Sequence, residues 1–157
     1  LVDTREKDGK NSHILSYFDS KNIPWKKFKL DCGDYSCAIP ANEDLGIPRD
    51  LYFDNEVIIE RKANLDEFAS NVTKERERIK KEFALAPKTK VIIIENATYS
   101  DMILGNYKSE YAAKSYYGTV HSMWHEFDIP FVFMDDPKYT GCFIRGYLQY
   151  YIRNLIK

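Results

Sequence analysis

Two short β-branched runs constrain this chain more than anything else in it. Residues 56–62 read EVIIERK and residues 90–95 read KVIIIE. A run apolar on both faces suits a central, often parallel strand, because both of its sides must be covered. Between the runs the pattern turns helical. Asn64 is placed as a helix N-cap, with Glu67 three residues on to complete a capping box. Leu65, Phe68, Ala69, Val72, Ile79 and Phe83 follow at the three-to-four spacing of a core-facing helix. One helix is therefore expected from 65 to about 84, stopped by Pro87. Arg76 falls on that apolar stripe where an aliphatic residue would fit better.

The flanking segments extend the same alternation. Residues 1–3 suit the end of a strand and 8–11 a turn. Ile14, Leu15 and Phe18 mark a short helix over 12–20. Asn22-Ile23-Pro24 breaks it. Residues 25–30 alternate Lys with large apolar side chains and predict a strand. Cys32-Gly33-Asp34 forms a turn before a second strand at 35–39. Residues 40–55 predict a loop of unusual length. Later come a helix at 111–127 with Val120, Trp124 and Phe127 inward, a strand at 130–134, and a helix at 139–156 with a wide apolar face. The order predicts an α/β sandwich, a mixed central sheet flanked by helices.

The chain of 157 residues suits one domain spanning 1–157, and its seven Gly and six Pro are scattered as punctuation. A composition 44% hydrophobic and 30% charged excludes a disordered chain. No run approaches 18 apolar residues, which argues against a membrane span. Three cysteines without a CxxC pair argue against a disulfide framework and a cysteine–zinc site, and for a reducing, cytoplasmic setting. A net charge of −1 argues against coating nucleic acid by bulk charge. It leaves room for an enzyme that gathers carboxylates around a metal ion.

Glu60-Arg61-Lys62 is where such chemistry fits. Side chains alternate along a strand, so Glu60 and Lys62 share one face and Arg61 takes the other. Asp34 lies 26 residues earlier, at the start of the preceding strand. If the two strands pair, Asp34 comes beside Glu60, and two carboxylates converge with one lysine. Mg²⁺ is held by one or two carboxylates together with water and phosphate oxygens. Asp34, Glu60 and the backbone carbonyl of Arg61 are the expected metal ligands. Lys62 would position the attacking water or neutralise the transition state of phosphodiester hydrolysis. The plainer alternative for Glu60 and Lys62 is a structural ion pair.

These residues carry a resemblance. Val2-Asp3-Thr4-Arg5-Glu6, then Gly33-Asp34-Tyr35, then Glu60-Arg61-Lys62 followed by Asp66 resemble the VDxRE, GD and ERKxxxD motifs of the XPF nuclease domain family. That family belongs to the PD-(D/E)XK superfamily, with a restriction-endonuclease-like fold. Ser70, Arg76 and the run 91–95 extend the likeness over nearly the whole chain. The resemblance implies an endonuclease dependent on Mg²⁺, with Mn²⁺ substituting, that cuts DNA at branches, flaps or junctions in repair or recombination. It implies catalytic or metal roles for Asp3, Asp34, Glu60 and Lys62, and supporting roles for Arg5, Glu6, Arg61 and Asp66. It also implies a homodimer or a related partner chain bound through the C-terminal helix, and association with nucleoid or nucleus when on DNA. The length leaves no room for the helix-hairpin-helix module of eukaryotic members, so a stand-alone phage or prokaryotic form is expected. Three alternatives stand beside this one: a catalytically silent DNA-binding or scaffolding module, a nuclease for RNA or a specific duplex, and a protein that acts by binding another protein.

Other residues have two readings each. Asp66 sits in a first helical turn, where an acid favours the helix dipole. Arg76 either extends to solvent or, with Lys74 and Arg78, meets a DNA backbone. Lys74, Arg78, Lys80 and Lys81 also interleave with Glu75, Glu77 and Glu82 as a solvated, ion-paired face. Glu95 is either a further site acid or a strand-ending charge. His121 and His125 are four apart on a helix but lack a third zinc ligand. The twelve tyrosines suit either base stacking or ordinary packing.

Overall fold

The two β-branched runs lie side by side and parallel in the computed structural model, which describes residues 1–156. In chain order the elements are α1 (Ser12–Ser20), β1 (Ala38–Ile39), β2 (Leu51–Tyr52), β3 (Val57–Lys62), α2 (Leu65–Lys74), α3 (Arg76–Leu85), β4 (Thr89–Glu95), α4 (Tyr99–Leu104), α5 (Ala113–Phe127), β5 (Phe131–Met134) and α6 (Thr140–Leu155). Strands β3, β4 and β5 form a parallel sheet in that order, with Ile59 opposite Val91 and Ile92 opposite Phe131.

Alternation along β4 explains its unbroken hydrophobicity. Ile92 and Ile94 enter a core with Phe68, Val72, Ile79, Met102, Tyr116 and Val120, under α2, α3 and α5. Val91 and Ile93 enter the opposite core with Ile14, Phe18, Ile59, Ile144 and Leu148, under α1 and α6. Each such side chain, fully buried, contributes about 1.5–3 kcal/mol. The result is the expected layered α/β fold.

Beyond β3 the sheet continues through single bridges. Tyr35 pairs antiparallel with Ile59, and Val2 pairs with Tyr35 (antiparallel) and Lys27 (parallel). The sheet is thus mixed, but the segments at 1–3, 25–30 and 35–39 are not full strands. At the Leu30 and Arg61 ends the reason is chemical. The next ladder donors, the N–H groups of Leu30 and Arg61, donate to the carboxylates of Asp3 and Asp34 at 2.9 and 2.7 Å. Side chains have replaced backbone partners, and the ladders stop there.

The helix expected over 65–84 is two helices, broken at Glu75 (φ −134°). The carbonyl of Val72, which the amide of residue 76 would use in a continuous helix, accepts instead from Arg76 Nε at 3.3 Å. The capping box is also altered. Asn64 accepts from the amide of Glu67, whose carboxylate reaches back to Ala63 rather than to the cap. The long segment 40–55 is partly ordered: β2 pairs antiparallel with β1, and Glu43–Leu45 forms a 3₁₀ turn. Helix α4, capped reciprocally by Thr98 and Asp101, is an addition to the sequence reading. Among the described residues no helix is long and apolar enough to cross a membrane.

Candidate active site

The turn at Gly33 places the first carboxylate. Gly33 has φ +81°, and a Cβ there would lie 2.9 Å from Ile58 Cβ and 3.0 Å from Ile58 Cδ1. Only glycine fits both the left-handed backbone and the space against β3. Asp34 follows, fixed on both sides: its amide donates to Ile59 O at 2.8 Å, and its carbonyl accepts from the Asp3 amide at 2.9 Å. Gly33→Ala is expected to cost about 2–4 kcal/mol, from left-handed strain plus overpacking. At this chain length that lowers the melting temperature by roughly 4–16 °C. A melt within 1 °C of wild type would contradict this account of the turn.

Asp34 meets the end of β3. Its Oδ2 accepts the Arg61 amide, and Lys62 Nζ lies 3.2 Å from Glu60 Oε1. In a strand, a residue's N–H and C=O leave on the same side. The Arg61 carbonyl therefore points to the edge where Asp34 sits. Two hollows open at Asp34, Glu60 and Lys62. One, of about 370 Å³, is also lined by Arg5, Glu6, Lys7, Lys10, Arg61 and Glu67. The other, of about 200 Å³, adds Asp3, Gly33, Arg78 and Glu82. A separate apolar hollow of about 400 Å³ beside α6 contains none of these carboxylates.

The charges in the site are frustrated. Burial pushes the Asp34 carboxyl well above the usual carboxylate range, and repulsion from Glu60 and Glu6 adds to it. Burial raises Glu60 too; Lys62 opposes this, while Glu82 and Glu6 reinforce it. Burial alone would lower the Lys62 ammonium, but Glu60, Asp34 and Glu67 outweigh it and hold the proton on Nζ. Two acids thus lack adequate positive compensation. Among the described residues no three His, Cys, Asp or Glu side chains form a metal cage. Two carboxylates with a backbone carbonyl nearby instead fit a hard cation that keeps several waters, as Mg²⁺ does.

Behind this face stands a second, closed layer. Arg61 points to the opposite face of β3, where Nη1 donates to Glu95 Oε1 at 2.6 Å, and Nε and Nη2 lie 3.3 Å from Glu6 Oε2. Glu95, 2% exposed, also accepts from Thr140 Oγ1 at 2.6 Å and contacts His13 Nε2 at 2.7 Å. Tyr35 donates to Glu6 at 2.7 Å and accepts from Asn11 at 3.3 Å.

The sequence from 2 to 146 matches the family model of the ERCC4 domain. The chain belongs to the ERCC4 domain family. Its fold is that of solved XPF structures. XPF from Aeropyrum pernix matches 95% of this chain with a TM-score of 0.64 and 19% identity. XPF from Aeropyrum pernix in complex with DNA matches 98% with a TM-score of 0.67 and 21% identity. This chain spans 59% and 64% of the lengths of those two chains. Among curated proteins none matches the sequence significantly. The resemblance read from the three motifs is thus a family membership, and the restriction-endonuclease-like α/β fold holds.

In this ERCC4 domain the expected site residues separate by position. Asp34, Glu60 and Lys62 share the hollows, with Arg5, Glu6 and Arg61 on their walls. Asp3, 1% exposed, engages the protein with both carboxylate oxygens, through the amide of Leu30 and Arg5 Nε. Asp66 accepts the Ser109 amide at 2.7 Å and lines neither hollow. Arg76 donates to Tyr111 Oη and Thr119 Oγ1 at 3.0 and 3.1 Å, within the protein. Arg78 pairs with Glu75 and Glu82, and Lys74 is exposed at the end of α2. Sequence reasoning passed over Lys7, Lys10, Glu67 and Glu82 on the walls, and the partners of Glu95. In sequence Glu67 reads as a capping-box acid and Glu82 as a helix-face charge, and Arg61 as a supporting residue with no link to Glu95.

Proposed function

We propose that this chain is a divalent-metal-dependent DNA endonuclease, selective for branched, flap or junction DNA. The observation that carries the reading is the convergence of Asp34 and Glu60, from separate segments, on one charged lysine within an ERCC4 domain. The fold shared with an XPF structure bound to DNA supports DNA as the substrate class. Asp34, Glu60 and the Arg61 carbonyl would hold Mg²⁺. When bound, the ion supplies Lewis acidity to the phosphate and its attacking water.

The chain's own residues do the rest. Asp34 is fixed by three hydrogen bonds around its backbone and carboxylate, so the site is organised before substrate arrives. Lys62, held protonated, presents its charge where negative charge grows on phosphate as the water oxygen bonds to phosphorus and the leaving oxygen departs. Arg61 fixes the end of β3 from behind.

The test is cleavage of labelled single-stranded, duplex, flap and splayed-arm DNA in Mg²⁺, Mn²⁺ or EDTA. Cutting is expected with either metal, absent in EDTA and fastest on branched substrates. DNA binding without cutting of any substrate would replace this reading with that of a silent binding module.

A further inference from the structure

The walls of the two hollows carry unlike charge. On the α3 side the cation is Arg78, and it is paired with Glu75 and with Glu82 at 3.4 Å. Arg76 is engaged by Val72, Tyr111 and Thr119, and Lys74 lines neither hollow. On the opposite side stand Lys7 and Lys10, both exposed, lining the hollow that contains Asp34, Glu60 and Lys62. Among the described residues neither lysine makes an ion pair, whereas the intervening Asp8 is neutralised by Lys27 at 2.8 Å.

The segment that carries these lysines is firmly held. The Lys10 amide donates to Lys7 O at 3.1 Å, closing the turn. Gly9 at φ +85° reverses the chain, with no atom within 4 Å of where a Cβ would stand. One end is anchored through Glu6 to Arg61 and Tyr35, and the other through Asn11 to Tyr35. Two cations without acidic partners are therefore presented at a fixed place beside the acids. Lysines so placed bind phosphate by releasing its counterions.

We propose that Lys7 and Lys10 are positioning residues that grip the backbone phosphates flanking the scissile bond, so that the cut strand runs over the 7–10 turn. This rests on the nuclease reading above and adds the direction from which the strand enters. A residue of this kind acts on substrate binding and leaves the reacting groups in place.

The experiment uses a fluorescein-labelled splayed-arm duplex. Binding is read by anisotropy in Ca²⁺ across a KCl series, and kcat and KM for cleavage are read in Mg²⁺. The Lys7→Ala/Lys10→Ala double variant is compared with wild type and with Lys108→Ala/Lys114→Ala, an equal charge change at exposed positions outside both hollows. The expected result is a roughly tenfold weaker Kd at about 100 mM KCl, with the log–log salt slope reduced by about 0.7–0.9 per lysine. KM rises in step, kcat stays within about twofold, and the control pair behaves as wild type. An unchanged Kd and slope, with wild type binding and cutting, would overturn the proposal alone. So would a fall in kcat at unchanged KM, or an equal loss in the control pair. A wild-type protein that neither binds nor cuts the duplex would overturn the nuclease reading, and this inference with it.

Discussion

Glu60→Gln is expected to abolish cleavage while giving the metal-free protein a stability advantage over wild type that grows as pH rises from 5 to 8. The loss of rate follows from removing one of two acids that would hold the ion, and amounts to roughly 10²-fold or more in kcat. The stability effect runs the other way because Glu60 and Asp34 are held uncomfortably. Both have folded-state values raised above the ordinary 4.5 and 3.8, chiefly by burial. Between the ordinary and the raised value, the native state binds more protons than the unfolded state. Stability therefore falls as pH rises through that window. A glutamine carries no charge to bury, so the variant escapes part of the penalty and melts above wild type at pH 8.

Mg²⁺ tests the same physics from the other side. An ion that binds only the native state raises the melting temperature, and about 2.7 kcal/mol is gained at a hundredfold excess over Kd. The gain in wild type is expected to grow from pH 5 to pH 8 as the acids ionise, and to be largely lost in Glu60→Gln. Thermal melts in EDTA and in Mg²⁺, run beside the cleavage assay, read both effects. A variant that cuts at the wild-type rate would remove Glu60 from the site. One that melts well below wild type in EDTA at pH 8 would show that Glu60 is a structural ion-pair partner of Lys62 instead.

Local signals carried far in this chain. The spacing of Ile14, Leu15 and Phe18 located α1 at Ser12–Ser20, and the two β-branched runs located β3 and β4. The meeting of Asp34 with Glu60 was legible on one condition, that the segment after the GD turn pairs with the ERK strand, and Tyr35 does bridge Ile59. What escaped depends on distant partners. Nothing near Arg76 in sequence shows that its guanidinium reaches Tyr111 and Thr119, 35 and 43 residues on, and takes the carbonyl that a continuous helix would need. The carboxylates of Asp3 and Asp34 take the amides of Leu30 and Arg61 in the same hidden way, so the ladders end at those two positions. Helix α4 has six residues, too few for apolar periodicity to declare itself. Lys7 and Lys10 look like any surface lysines until the 7–10 turn is folded over the acids.

Glu95 is the extreme case, and its replacement carries the largest expected effect on stability. In sequence it is one acid at the end of an apolar run. In the fold it receives Arg61, Thr140 and His13, which lie 34, 45 and 82 residues away. It thereby joins β3, β4, α1 and α6 at the rim of the sheet. Arg61 keeps its charge there: burial alone would lower its pKa, but Glu6 and Glu95 outweigh that and raise it. Glu95→Ala would leave a guanidinium 7% exposed with only Glu6 beside it, and strip the buried Thr140 hydroxyl of its acceptor. Removing one partner from a buried ion pair costs about 3–5 kcal/mol, or roughly 6–20 °C in melting temperature at this length. His13→Ala should cost far less, since that ring is about a third exposed and water can replace it at Glu95. Glu95→Gln should fall between the two, because its amide still accepts from Arg61 but turns a donor toward Thr140 or His13. This ranking, Ala worst and His13 mildest, separates a hub from a simple strand-end charge. A Glu95→Ala protein that melts with His13→Ala, close to wild type, would mean that the layer behind the site holds Arg61 through Glu6 alone.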